Sequence, residues 1–274
     1  MTKMKLALCQ MNVVDNKEKN LETASLMIAE SASNADFIIL PEMFNCPYSN
    51  EKFIEYAEVK NDNPTLNKIS SLAESNDVYI LAGSIPEKEN DRLYNTSYLF
   101  DKKGHIIAKH RKMHLFDIDV KGKITFKESD VLTAGDDFTV VDTEFGKVGV
   151  GICYDVRFPE LARIMVENGA LILIYPGAFN MTTGPAHWEL LFRSRALDNQ
   201  VYCVGVAPAL NKDASYHSFG HSIIANPWGE IIAEADEKEN LIIAEIDLDE
   251  IKRIREELPL LKNKREDLYE IKRK

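Results

Sequence analysis

No run of about 18 apolar residues occurs anywhere in the 274-residue chain, so no membrane-spanning helix is expected. The first residues, MTKMKLALCQMNVVDN, lack the long apolar core and small-residue cleavage site of a secretory signal, and they look like a buried strand instead. Cysteine is scarce. Cys9, Cys46, Cys153 and Cys203 include no close pair, which leaves no zinc knot, no disulfide framework and no Cys-x-x-Cys redox motif. A reducing, cytoplasmic setting is expected. Basic residues are outnumbered, 33 Lys+Arg against 44 Asp+Glu for a net charge of −11. That deficit argues against nucleic acid as a partner, because phosphate binding needs basic surface. There is no His-Glu-x-x-His pattern, no glycine-rich phosphate loop and no dinucleotide fingerprint, so no metal or nucleotide cofactor is expected. Internal repeats and low-complexity stretches are lacking too.

What is present is an ordinary globular composition, 45% hydrophobic and 28% charged. A domain of this size buries about three quarters of its unfolded surface. Short apolar runs read as strands at 5–11, 36–40, 78–83, 94–100, 106–110, 138–142, 148–152, 170–175, 201–206, 218–225, 231–234 and 241–247. Several are continuously apolar, as strands covered on both faces should be. Helical spacing of Leu21, Ala24, Ile28 and Ala32 follows an acidic capping box at Asp15 and Glu18. Further helices are predicted at 50–56, 64–75, 159–168 and 186–198, with Pro64 and Pro159 in first turns and Asn168-Gly169 as a stop. This alternation predicts an α/β layered fold. One domain should span residues 1–249. Residues 250–274 form an extension, basic on an acidic body, which reads as a solvated face or as a tail clasping a second subunit.

Cys153, in KVGVGICYDVRFPE, ends a strand just before the helix starting at Pro159. A nucleophile on such a turn is exposed at the sheet edge with backbone N–H groups near a developing oxyanion. The alternative is a small buried apolar residue, the reading that suits Cys9 and Cys203. Cys46 lies on a loop and fits either. Glu42 follows the run FIILP; burial there would raise its pKa toward the range of a general base, and solvation at the strand end is the alternative. Lys112 in KHRKMHLFDID and Glu128 in ITFKESD say little alone. His110 and His114 are four apart on a strand and loop, where helical metal-ligand geometry does not apply. Taken together, Glu42, Lys112 and Cys153 each end an apolar strand and supply a base, a cation and a nucleophile, enough for cysteine-based acyl transfer.

Those segments, ILPEMFNCPY, HRKMHLFDID and GICYDVRFPE, resemble the nitrilase superfamily of carbon–nitrogen hydrolases, whose signature is a Glu–Lys–Cys triad in this order. HLFDIDVKGKITFKES, YPGAFNMTTGPAHWELLFRSRALDNQVY and HSIIANPWGE resemble its omega-amidase branch. The resemblance implies a four-layer α-β-β-α sandwich, pairing of subunits with the C-terminal extension taking part, and no cofactor. It implies hydrolysis of the terminal amide of 2-oxoglutaramate or 2-oxosuccinamate, with Glu128 as a second carboxylate beside Lys112. An amidase for another small substrate, such as an N-carbamoyl amine, is the rival within the class; an inactive interaction module is the rival outside it. For substrate binding, Arg157 is either a carboxylate ligand or half of a structural ion pair. Phe44, Tyr48, Phe116 and Phe179 either wall the pocket or pack the core. Tyr154 offers a backbone N–H, and Thr182 and Thr183 offer hydroxyls.

Overall fold

The computed structural model describes residues 2–59 and 63–273. One sheet contains β1 (Lys3–Gln10), β2 (Phe37–Ile39), β3 (Glu58–Val59), β4 (Tyr79–Leu81), β5 (Ile85–Glu89), β6 (Arg92–Phe100), β7 (Ile106–Arg111) and β16 (Asn240–Asp247). Its order is β16-β1-β2-β4-β6-β5-β3, with β7 also pairing β6. β8 (Asp117–Val120) and β9 (Ile124–Lys127) form a separate hairpin. The second sheet contains β10 (Thr139–Thr143), β11 (Gly146–Val150), β12 (Ala170–Pro176), β13 (Tyr202–Val206), β14 (Ile223–Ala225) and β15 (Ile231–Glu234), in sequence order. The helices are α1 (Lys17–Ala32), α2 (Asn50–Tyr56), α3 (Pro64–Asn76), α4 (Pro159–Glu167), α5 (Gly184–Asn199) and α6 (Asp249–Glu257). Among the described residues, no helix is long and apolar enough to cross a membrane.

The period of two along each strand builds the layers. Met4, Leu6 and Leu8 of β1 and Phe37 and Ile39 of β2 face Ile172 and Ile174 of β12 and Tyr202, Val204 and Val206 of β13 in one shared core. The intervening residues point outward. Ala7, Cys9 and Ile38 meet Ala24, Met27 and Ile28 of α1 and Leu66, Ile69 and Ala73 of α3. Leu173, Tyr175 and Cys203 meet Leu161 and Met165 of α4 and Trp188 and Phe192 of α5. Both sheets are therefore covered on both faces, giving the expected α-β-β-α sandwich. Truncating a central leucine or isoleucine to alanine costs about 2–5 kcal/mol in such a core.

Several boundaries differ from the sequence reading. The cap of α1 is Asn16, whose side chain accepts from Lys19 N at 2.9 Å. Asp15 is engaged elsewhere, by Lys52 at 2.9 Å and the Tyr56 hydroxyl at 2.7 Å, so no Asp15–Glu18 capping box forms. The strand expected at 218–225 shrinks to β14 because Gly220 (φ 75°) and His221 (φ 59°) are left-handed. β3 and β5 lack a clean apolar alternation and were not foreseen; nor was the β8–β9 hairpin, whose strands DIDV and ITFK alternate polar and apolar residues but are only four residues long. Neither was α6, which crosses the expected boundary at 249/250 and buries Ile251 in the shared core.

Candidate active site

Glu42 sits one turn beyond β2. Pro41 lies so close to Gly83 that a Cβ on Gly83 would be 1.9 Å from the Pro41 carbonyl oxygen, a contact only glycine permits. Met43, left-handed at φ 51°, then bends the chain away, its N–H donating to Ser84 Oγ at 3.0 Å. Lys112 directly follows β7; its N–H donates to Asn95 O at 2.9 Å, and its carbonyl accepts from Gly135 N at 2.8 Å. Glu128 opens the short 3-10 turn after β9. All three side chains are fully buried.

Their polar atoms are closely matched. Lys112 Nζ donates to Glu42 Oε1 and Glu128 Oε1, each at 2.9 Å, and more loosely to Tyr48 Oη at 3.3 Å. The Tyr48 hydroxyl donates to Glu128 Oε1 at 2.6 Å, and Phe116 N donates to Glu128 Oε2 at 2.6 Å. Asn95 Nδ2 donates to Glu42 Oε1 at 2.9 Å, while Glu42 Oε2 receives the Ala178 N–H at 2.7 Å. Burial raises the Glu42 pKa against the pull of Lys112, and Glu128 adds to the rise. Burial opposes the charge on Lys112, but Glu128 and Glu42 outweigh it and hold the ammonium well above its ordinary value.

Cys153 is 3% exposed and comes from the other sheet. β11 stops at Val150, two residues earlier than the sequence suggested, so the cysteine does not end the strand. Instead it opens a 3-10 turn, Cys153–Arg157, with a left-handed backbone at φ 47°. A non-glycine residue held there costs about 1–3 kcal/mol and persists only when its surroundings enforce it. Burial, then the charge of Glu42, push the thiol well above its ordinary pKa, against the opposing effect of Lys112. The sulfur is thus neutral at rest and needs a base at the moment of attack.

The remaining sequence candidates divide. Tyr48 is a hydrogen-bonding partner of Glu128 as well as a wall. The Phe116 and Tyr154 rings meet edge-on at 5.3 Å. Phe179 packs edge-on against Trp188 at 5.0 Å and carries the Arg157 guanidinium over its face at 4.6 Å. Phe44 belongs to the core between the first sheet and its helices, so it walls no pocket. Thr182 and Thr183 donate their N–H groups to Asn180 Oδ1 at 2.8 and 3.0 Å, which shapes the turn leading into α5. Among the described residues no carboxylate pairs with Arg157, which overturns its structural ion-pair reading. Its Nη1 meets His187 Nδ1 at 3.1 Å, and its Nε is buried without a partner. Arg195 holds the nucleophile turn instead, donating to Val156 O at 2.8 Å and Arg157 O at 3.1 Å.

Sequence reasoning missed Asn95, Asp155, Ala178 and Tyr216. Tyr216 donates to Ala178 O at 2.5 Å and lies 4.6 Å from the Tyr48 ring. The polar stretch Asn95-Thr96-Ser97 inside the strand segment YNTSYLF was an available signal. Cys46 is buried, donates to Pro47 O at 3.3 Å, and its thiol is driven up by burial. A cavity of about 30 Å³ beside Glu42, lined in part by Cys46 and Tyr216, has room for water. No group of three or more His, Cys, Asp or Glu among the described residues is arranged to hold a metal ion.

A buried acid–lysine–acid bridge thus lies beside a strained cysteine between the two sheets. The carbon-nitrogen hydrolase family pattern covers residues 5–256. The chain is 48% identical to the Homo sapiens protein named omega-amidase NIT2 over 275 residues, covering 100% of this chain and 99% of that one. It is 50% identical to the Xenopus tropicalis omega-amidase NIT2 with the same coverage. Saccharomyces cerevisiae Nit3, described as a member of branch 10 of the nitrilase superfamily, superposes with a TM-score of 0.88 at 43% identity, over 96% of this chain and 97% of that one. The chain belongs to the carbon–nitrogen hydrolase family, within the nitrilase superfamily, and is a hydrolase acting on carbon–nitrogen bonds.

Proposed function

We propose that this protein is an omega-amidase, hydrolysing the terminal amide of 2-oxoglutaramate or 2-oxosuccinamate to the 2-oxo dicarboxylic acid and ammonia. The observation that carries the mechanism is the Lys112 bridge between Glu42 and Glu128, buried beside Cys153. Glu42 Oε1 is occupied by Lys112 and Asn95, while Oε2 receives a single N–H and keeps a lone pair free. Oε2 therefore takes the Cys153 proton as sulfur attacks the amide carbon. Of the three Lys112 N–H groups, the long one toward Tyr48 is the cheapest to redirect, and it turns to the oxyanion together with the Tyr154 N–H. One such donor is worth about 3–4 kcal/mol. Glu42 then hands its proton to the leaving nitrogen, ammonia departs, and a thioester remains. Water, deprotonated by the same carboxylate, cleaves the thioester and regenerates the thiol.

Arg157 is the assigned ligand of the substrate carboxylate. Its free Nε and its place over Phe179 support this, and Arg157→Met should raise KM for a keto-acid amide more than it lowers kcat. The test of the reading is ammonia release from 2-oxoglutaramate by wild type and Cys153→Ala. Rapid release abolished in the variant is the expected result. A folded wild type that ignores this substrate but cleaves N-carbamoyl amines would move the substrate assignment and keep the chemistry.

Four free, buried cysteines support a cytoplasmic setting. A homodimer is supported by exposed Leu190 and Leu197 on α5 beside exposed Trp228 in the turn before β15. The exposed Leu258, Leu260, Leu268 and Tyr269 support a role for the 250–274 extension at that interface. Light scattering of the full chain and of a chain ending at Glu257 would test both statements.

A further inference from the structure

Asp155 takes no part in the steps above, yet it is fully buried between the two halves of the site. Its Oδ2 accepts from Ile152 N at 2.9 Å and His110 Nε2 at 3.1 Å. Its Oδ1 accepts from His114 N at 3.0 Å and His114 Nδ1 at 2.8 Å. The His114 ring stacks on Phe158 at 3.6 Å, and His110 Nδ1 meets Thr139 Oγ1 at 3.0 Å. The placement is specific. His110 and His114 lie two residues before and two after Lys112, whereas Ile152 and Asp155 flank Cys153. One carboxylate thus ties the segment that carries the ammonium, from the first sheet, to the turn that carries the sulfur, from the second.

We propose that Asp155 is a positioning residue that fixes the Cys153 sulfur relative to Lys112 and Glu42. An isolated carboxylate is costly to bury, and here four N–H groups compensate it. A turn that only needed closing could be closed without a charge spanning both sheets. The inference rests on the cysteine-hydrolase reading. A displacement of about 1 Å in a reacting group costs up to about 100-fold in rate.

Asp155→Asn is the sharp variant. Each carboxylate oxygen meets one main-chain N–H, so neither orientation of the amide avoids setting an NH2 against a donor. The expected result is a kcat about 10–100-fold lower with KM changed less than about threefold. Alkylation by iodoacetamide, read by mass spectrometry, should slow about tenfold at Cys153 while Cys9, Cys46 and Cys203 stay unlabelled. Wild-type kcat and labelling would overturn the proposal. So would labelling of the other three cysteines with a kcat loss equal to the unfolded fraction, which would make Asp155 a fold lock only. His114→Phe keeps the stack on Phe158 and removes one donor from a position 29% exposed, so it should fold; a drop in kcat of about 3–10-fold is expected, and an unchanged kcat counts against the proposal. Because the alkylation arm needs no amide substrate, a wrong substrate would leave this test standing.

Discussion

The molecule contains the same ionic motif twice. On the surface, Lys52 Nζ lies between Asp15 and Glu55 at 2.9 and 2.8 Å, beside the Tyr56 ring, and the Tyr56 hydroxyl donates to Asp15. In the interior, Lys112 Nζ lies between Glu42 and Glu128 at 2.9 Å each, beside the Tyr48 ring, and the Tyr48 hydroxyl donates to Glu128. The central lysine, the distances and the attendant tyrosine agree, although one outer carboxylate is an aspartate where both inner ones are glutamates. The large difference is burial, because Asp15 and Glu55 are more than half exposed while Glu42, Lys112 and Glu128 are shut away from solvent. In the outer bridge, hydrogen bonds from Lys52 and the Tyr56 hydroxyl hold Asp15 below its ordinary pKa. Exclusion of water raises the pKa of one inner carboxylate and confines a permanent cation next to a thiol. On the proposed mechanism, burial is what converts a common surface arrangement into catalytic machinery.

The strongest way to break the inner motif is Lys112→Met. It leaves two buried carboxylates without their cation, so a loss of about 3–5 kcal/mol in stability is expected, alongside loss of turnover. Chemical denaturation and ammonia release measure the two. A variant of full stability would mean that the carboxylates are hydrated, and the contrast with Lys52 would collapse.

Glu42→Gln should cost turnover about 10²–10⁴-fold, the range for a general base, without the stability loss of Lys112→Met, since Lys112 keeps Glu128. The pH dependence follows from the raised Glu42 pKa. As a base it must be ionised, so kcat/KM should rise with pH through a value above the ordinary 4.5. The same shift acts oppositely on stability. The folded state holds this proton more tightly than the unfolded chain, so the residue's contribution is complete below the unfolded pKa and is lost as pH rises through the folded one. Activity therefore appears over the window in which this group ceases to stabilise the fold. An acid limb at or below 4.5 would show that Glu42 is not the buried base.

The site was legible in part because Glu42, Lys112 and Cys153 each follow an apolar run, which marks strand ends in a layered fold. The α/β character was readable from near-continuous apolar runs alternating with amphipathic segments, while the four-layer arrangement came from the resemblance to the nitrilase superfamily. What stayed hidden depends on contacts between distant segments. Asn95, Asp155 and Tyr216 act through partners 53, 45 and 38 residues away, and no local pattern encodes such pairings. Arg157 was open to two readings for the same reason, as the absence of a carboxylate beside it is a property of the packed turn. The β8–β9 hairpin that delivers Glu128 alternates polar and apolar residues cleanly, but each strand is only four residues long and half-covered, and the segment read as a loop rich in His, Phe and Asp.

The outer motif supplies the smallest effect and the control. Lys52→Met removes the cation from between two carboxylates at unchanged distances, which on geometry alone should matter as much as Lys112→Met. Exposed pairs, however, gain little from Coulomb attraction in water and lose side-chain freedom in forming. The melting temperature should therefore move by no more than about 2 °C, and kcat and KM should match wild type. Any shift that does appear should vanish in 0.5 M salt, where the screening length falls to about 4 Å. A large, salt-resistant loss would place the Lys52 bridge in the same electrostatic regime as Lys112, and burial would no longer explain why only one of the two motifs does chemistry.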